Sequence, residues 1–321
     1  MIINQKKYSF RSAFSMLELV FVIVILGIIA SISSSVIVQV YQSYIPQKAA
    51  AAAAAKTELA AVQIANRLAS AVPWSIVAKN PAAPFTDFRL LSDIALADTG
   101  EKYTALEWIG VDNDGFNTGV WSGFCNTATA TQTSCTSNGS AFLTANTIIS
   151  NLSNGEVGLN GTAQQPVVIF KTNANSFTST PLVQYSPACM GMTSPANTSC
   201  AIQATAATET GLIMPAGLKA ISEHFVLAWS AYALVPEDCA DRNGDGVSEC
   251  DLNLYYNYQP WEGEQYTSNG VSRVTLLNNV TVFKFSQYDA AIRFKICVQQ
   301  SIGNNANTPP VTLCKEKVVI R

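Results

Sequence analysis

Residues 13–38 read AFSMLELVFVIVILGIIASISSSVIV, an apolar run broken near its start by a single acid, Glu18. A stretch of this length crosses a bilayer as a helix. A carboxylate inside a spanning segment costs about 2.5 to 3.5 kcal/mol on insertion scales, so it needs a partner or a purpose. The twelve residues before Ala13 carry Lys6, Lys7 and Arg11 and no acid, which keeps this end on the cytoplasmic side and directs the rest of the chain outward.

Three readings of the segment follow from these residues. A signal peptide would be cut after the apolar core, but residues 30–35 offer only a poor small-residue site. A plain N-terminal anchor accounts for the hydrophobicity and the basic flank and leaves Glu18 without a role. In the third reading the cut falls before the core, between Ala13 and Phe14.

The stretch resembles the N-terminus of type IV prepilins and type II secretion pseudopilins. The resemblance implies that a specialised prepilin peptidase cuts after Ala13 and that the exposed Phe14 is N-methylated. It places a glutamate fifth after the cut, which is Glu18, and a glycine in the apolar helix, matched by Gly27. Ala13 departs from the pattern, where glycine is usual. The resemblance also gives Glu18 a purpose, because in an assembling filament its carboxylate would pair with the amino terminus of Phe14 on a neighbouring subunit. Either charge alone would be stranded in hydrocarbon. The specific match covers about 30 residues of the 321.

Across the whole chain 19 basic and 22 acidic residues give a net charge of −3, and loss of the three cations of the leader would take it to −6. So acidic a chain has no electrostatic means of holding DNA unaided, and no nucleic-acid partner is expected. Charged residues make up 13% of the chain, about half the usual share, which suits an exported surface. The eight cysteines Cys125, Cys135, Cys189, Cys200, Cys239, Cys250, Cys297 and Cys314 fall into four neighbouring pairs. No C-x-x-C occurs, so zinc and thiol redox chemistry lack their spacing, and an even count in an exported chain reads as disulfides between neighbours.

From 41 to 77 the composition stays helical, with seven consecutive alanines at 49–55. Pro46 should kink this helix without ending it. Leu59, Val62, Ile64, Leu68 and Val72 recur at helical spacing and predict a face packed on the chain's own domain, with Pro73, Pro81 and Pro84 closing the helix. Residues 106–124 predict two short strands around a turn at Asp112, Asn113 and Asp114, and 125–154 predicts a long polar excursion pinned by a disulfide. Strands are expected at 166–172, as one central strand at 224–235, at 252–260, and as a C-terminal meander at 272–286, 290–299 and 309–320. The fold class is α+β: a leader at 1–13, a helix at 14–78 that spans the membrane over about 16–38, and an antiparallel β-rich head at 79–321.

Candidate chemistry is sparse. The single histidine, His224, opens an apolar strand and is expected to be structural. No HExxH and no Gly-rich loop between a strand and a helix are present, so the chain is expected to be non-catalytic. One stretch has ligand spacing. In DCADRNGDGVSECD, at 238–251, Asp241, Asn243, Asp245, Gly246 and Glu249 follow the first nine positions of an EF-hand-like loop. Val247 would offer its carbonyl and Asp251 a late carboxylate, while Leu252 occupies the position of the bidentate glutamate. Calcium is the expected cofactor, with Cys239 and Cys250 bracketing the site.

The family resemblance implies a minor pseudopilin at or near the tip of a periplasmic filament. Its partners would be other pilin-like subunits, the prepilin peptidase and the inner membrane, crossed once with the N-terminus cytoplasmic. The alternative is a minor type IV pilin for adhesion or DNA uptake, its head on a surface filament.

Overall fold

The computed structural model describes residues 15–83, 87–94, 102–162, 164–171, 185–194, 197–216, 221–302 and 310–320. It begins with α1, Met16–Ala69, a single helix of 54 residues that passes through Pro46. Ser15 caps it, its hydroxyl accepting a hydrogen bond from the Glu18 amide at 3.2 Å. Along the second half Ala53, Thr57, Ala60, Ala61, Ile64 and Leu68 are buried at steps of three and four residues. Alanines at the contact let the helix backbone lie close to the sheet beneath it. Leu59 and Val62, expected on this buried face, point outward instead, at 61% and 37% exposure. Ile64 and Leu68, also expected there, are buried, and small residues fill the rest of the stripe.

α1 stops at Ala69, earlier than the alanine-rich composition suggests. Ala71 bridges to Gly110, and the Val72 amide donates to the carbonyl of Ile109, so the sheet captures the chain before Pro73 would have ended the helix. The head then follows as β1 Val77–Lys79, β2 Phe88–Leu90, β3 Ala105–Gly110, α2 Asn113–Asn117, β4 Ser134–Thr136, α3 Phe142–Leu152 and β5 Val167–Phe170. Three short strands come next, β6 Ile202–Gln203, β7 Thr205–Ala206 and β8 Gly211–Ile213. The last six are β9 Phe225–Ala228, β10 Ser230–Ala240, β11 Glu249–Tyr258, β12 Ser272–Tyr288, β13 Ala291–Gln300 and β14 Val311–Ile320.

The main sheet has eight antiparallel strands in the order β14-β13-β12-β11-β10-β3-β1-β2. The C-terminal meander is there as expected. One face of it, with Phe283, Phe285, Ile292, Phe294, Ile296 and Val319, packs against α1. The other face of the sheet, around Ala231, Ala233 and Tyr258, meets a second layer built on β5 and the disulfide-linked Cys189 and Cys200. Two three-stranded sheets and α3 enclose a further core of Phe142, Ile149, Phe170 and Phe225.

Three other expectations are corrected. The single strand at 224–235 is two, because the chain changes sheets at Trp229: β9 pairs with β5, whereas β10 pairs with β3 and β11. The expected turn at 112–114 is the start of α2, where Asp112 accepts the Gly115 amide at 3.2 Å and the Trp121 indole N–H at 3.0 Å. Burial raises the pKa of this carboxyl, and the two hydrogen bonds oppose that rise. The polar excursion at 125–154 contains α3, whose Phe142, Ala145 and Ile149 are fully buried.

Disulfides join Cys125 to Cys135, Cys189 to Cys200, Cys239 to Cys250 and Cys297 to Cys314. The last is a cross-strand pair in the β13–β14 ladder. Deep in the sheet Lys79 lies 2.5 Å from Glu107, both nearly free of solvent contact, and the Tyr258 hydroxyl donates to the other Glu107 oxygen at 2.7 Å. Full burial beside Glu107 raises the Tyr258 pKa well above its usual value.

Candidate functional site: an apolar anchor and an acidic loop

Every residue from 16 to 45 is exposed. The side chains on all sides of this half are Met, Leu, Val, Ile, Phe and Ala, relieved only by Glu18, five serines, Gly27, Gln39, Gln42 and two tyrosines. A helix apolar all round and unpacked has no stable place in water, and this one is long and apolar enough to cross a membrane. Glu18 sits in its first turn, where the positive end of the helix dipole favours a carboxylate. Ala13 and Phe14, the expected processing residues, lie outside the described residues.

The apolar half is continuous with the head because the second half of the same helix belongs to the main core. Glu58 fastens that half to the last strand, meeting Lys317 at 2.7 Å and Lys315 at 2.8 Å. Hydrogen bonds from these two ammonium groups hold the Glu58 carboxyl down to about 2.

The acidic loop projects between β10 and β11, closed at its base by Cys239 and Cys250 with Cα atoms 4.0 Å apart. Asp241 accepts the amides of Gly244 at 2.7 Å, Asp245 at 3.2 Å and Gly246 at 2.9 Å, and these bonds lower its pKa. Such a crowded wrap needs left-handed backbone at two positions, supplied by Gly244 at φ +78° and Gly246 at φ +84°. Asn243 accepts the Asp245 amide at 3.0 Å and donates to Glu249 at 3.3 Å, and Asp245 accepts the Val247 amide at 2.8 Å. Asp241, Asn243, Asp245 and Glu249 are thus brought together in one small loop.

Asp251 is not brought into that set. It pairs with Arg242 at 2.8 Å, and the guanidinium, which also donates to Asn279 at 3.0 Å, lowers the Asp251 pKa. The sequence holds the signal for this, since Arg242 stands within the motif, but its reach to Asp251 and Asn279 depends on strand pairing. Gln299, which donates to Asp245 from β13, is a neighbour no local motif could reveal. Among the described residues no cluster of three or more Asp, Glu, His or Cys side chains is arranged to hold a metal.

His224 precedes β9, is exposed, and meets Phe124 edge-on with ring centroids 6.0 Å apart. It lines a cavity of about 550 Å³ together with Asn66, Phe116, Trp121 and Lys171.

No family model, curated protein or solved structure matches this chain.

Proposed function

We propose that this chain is a non-catalytic, pilin-like subunit, a minor pseudopilin of a type II secretion system that assembles through its N-terminal helix. The observation that carries the reading is α1 itself: a fully exposed apolar half with one acid in its first turn, continuous with a half locked into a β-rich head. A signal peptide is removed from the domain it exports and has no reason to share a helix with its core. An anchor alone does not call for an intramembrane carboxylate. In the proposed arrangement the helix crosses the inner membrane with its N-terminus cytoplasmic and the head in the periplasm. Prepilin peptidase cuts between Ala13 and Phe14, and Glu18 pairs with the methylated terminus of a neighbouring subunit. The alternative of a minor type IV pilin shares this segment and these steps.

The test is Glu18→Ala. The variant should still insert, because it loses an intramembrane charge, but it should no longer cross-link to other filament subunits. Normal cross-linking would remove the pairing from the account.

We also propose that the loop of Asp241, Asn243, Asp245 and Glu249 takes calcium with a carbonyl from Val247, and that Asp251 joins only if it leaves Arg242. With the bidentate twelfth ligand missing, the dissociation constant should fall in the range of about 10⁻⁴ to 10⁻³ M seen for extracellular modules. At ten times that concentration calcium would add about 1.4 kcal/mol of stability. Thermal melts with calcium and with chelator measure this, and an identical response from Asp245→Ala would reduce the loop to a turn.

A further inference from the structure

Among the described residues of the head, the three most exposed large apolar side chains are Tyr288, Ile320 and Val318, at 88%, 79% and 57%. Strand pairing brings them together. Ala291 pairs with Tyr288 on one side and with Ile320 on the other, so these three residues form one cross-strand row. The alternate residues Ile292 and Val319 are buried in the core shared with α1, which puts the row on the face turned away from the helix. The next row on that face is Ser286, Arg293 and Val318, and the third is Lys284, Lys295 and Glu316. Rows on one face lie about 6.6 Å apart, so the surface grades from apolar at the rim to basic about 13 Å behind it. Three cations to one acid mark this corner as basic in a chain of net charge −3.

The register of the sheet fixes where the rim lies. Ala71, just past α1, bridges to Gly110, Gly110 pairs with Ser230, and Ala231 pairs with Tyr258. Tyr256 pairs with Ser272, so β12 starts at the end of the sheet where α1 finishes. Its last residue, Tyr288, therefore lies at the end from which the apolar half of α1 emerges. The Glu58 fork gives the depth. Ile320 is three residues past Lys317, about 10 Å along the strand, and that distance equals about seven residues of helix. The rim is thus level with the alanine run that holds Ala53, the first buried residue of α1. The thirty exposed residues at 16–45 measure about 45 Å, the thickness of a bilayer with both headgroup layers. From Ile45 to the rim is only about 9 Å of helix, and the turn at Asp289 and Ala290 extends beyond the rim.

We infer that the β12–β13 turn and the end of β14 rest on the headgroup layer of the bilayer that α1 crosses. Tyr288 and Ile320 meet lipid there, and the basic rows behind them face phosphate. Tyrosine suits this depth because its ring is apolar and its hydroxyl is wet, while lysine and arginine reach phosphates from just outside. An exposed apolar patch calls for a partner, and this one is continuous with the apolar surface of α1. The inference rests on α1 spanning the membrane, not on its processing or on filament assembly.

The experiment places the full chain in nanodiscs of phosphatidylcholine and phosphatidylglycerol brominated high on their acyl chains, with unbrominated nanodiscs as reference. Tyr288→Trp and, separately, Ile320→Trp each add one indole, read as the difference from the wild-type emission. The added emission should be shifted to the blue and quenched by bromine. Thr267→Trp, exposed between β11 and β12 at the opposite end of the sheet, should show neither effect. Phe21→Trp, within the apolar half of α1, reports insertion and should be quenched. Quenching of Phe21→Trp with none at Tyr288→Trp and Ile320→Trp overturns the inference and leaves the spanning helix in place, whereas no quenching at any position overturns both. Quenching at Thr267→Trp equal to that at the rim would overturn it too. Emission from Tyr288→Trp that answers to protein concentration and not to bromine would assign the rim to a second copy of the chain instead.

Discussion

Glu58 of the long helix accepts a hydrogen bond from Lys317 of the last strand at 2.7 Å, across 259 residues of sequence. With Lys315 on its other oxygen, this carboxylate joins the element that leaves the head to the strand that ends it. The fork is solvent-accessible, so its strength depends on salt and pH.

The pH dependence has a definite sign. The Glu58 pKa is depressed to about 2 from 4.5, so its contribution is full above the unfolded value and is lost as pH falls through that window. Wild type should therefore lose stability between pH 4.5 and 2 more steeply than Glu58→Gln in urea melts at low ionic strength. Superimposable pH profiles would show that the fork contributes nothing measurable.

Lys79 and Glu107 form the opposite kind of pair, with side chains 3% and 1% exposed. Lys79→Met should cost about 3–5 kcal/mol because it leaves Glu107 charged in an apolar interior beside Tyr258. Adding Glu107→Leu should recover much of that loss, since a packed apolar pair often replaces a buried ion pair at little cost. Denaturant melts of the two variants decide it, and equal instability would mean that packing, not charge, sets the penalty.

The disulfide between Cys297 and Cys314 ties the edge strand that Glu58 grips, the two cysteines lying 17 positions apart in sequence. Replacing both by alanine should lower stability by about 2–4 kcal/mol and loosen β14, seen as faster amide exchange over 311–320. Peptide mapping without reduction checks the connectivity, and a bridge from Cys125 to Cys314 would contradict it.

The parts of the fold that could be read in sequence are those with strong local pattern. The apolar helix, the alternation in FKFSQ and IRFKICV, and cysteines spaced to close short loops each carry their own signal. What could not be read depends on partners distant in sequence. Nothing around Trp229 marks the change of sheet, because an apolar strand reads the same whichever neighbour it joins. α3 is hidden among Thr, Ser and Asn, and only Phe142, Ala145 and Ile149 betray its buried side. Of the five apolar residues at helical spacing, Ile64, Leu68 and Val72 are buried as expected, whereas Leu59 and Val62 face outward and alanines share the contact with the sheet. At the acidic loop, spacing gives the Asp241, Asn243, Asp245 and Glu249 cluster, while the diversion of Asp251 to Arg242 required β11 and β12 to be in place. The pairing of Asn257 with Glu156, 101 residues away, has no sequence signal at all.

Intact mass of the protein extracted from membranes tests most directly the proposal that α1 is a processed, assembling pilin-like helix. The mature chain should begin at Phe14, carry one N-methyl group, and retain all of 14–321. A chain that keeps Met1, or one that starts beyond Ala30, would contradict it.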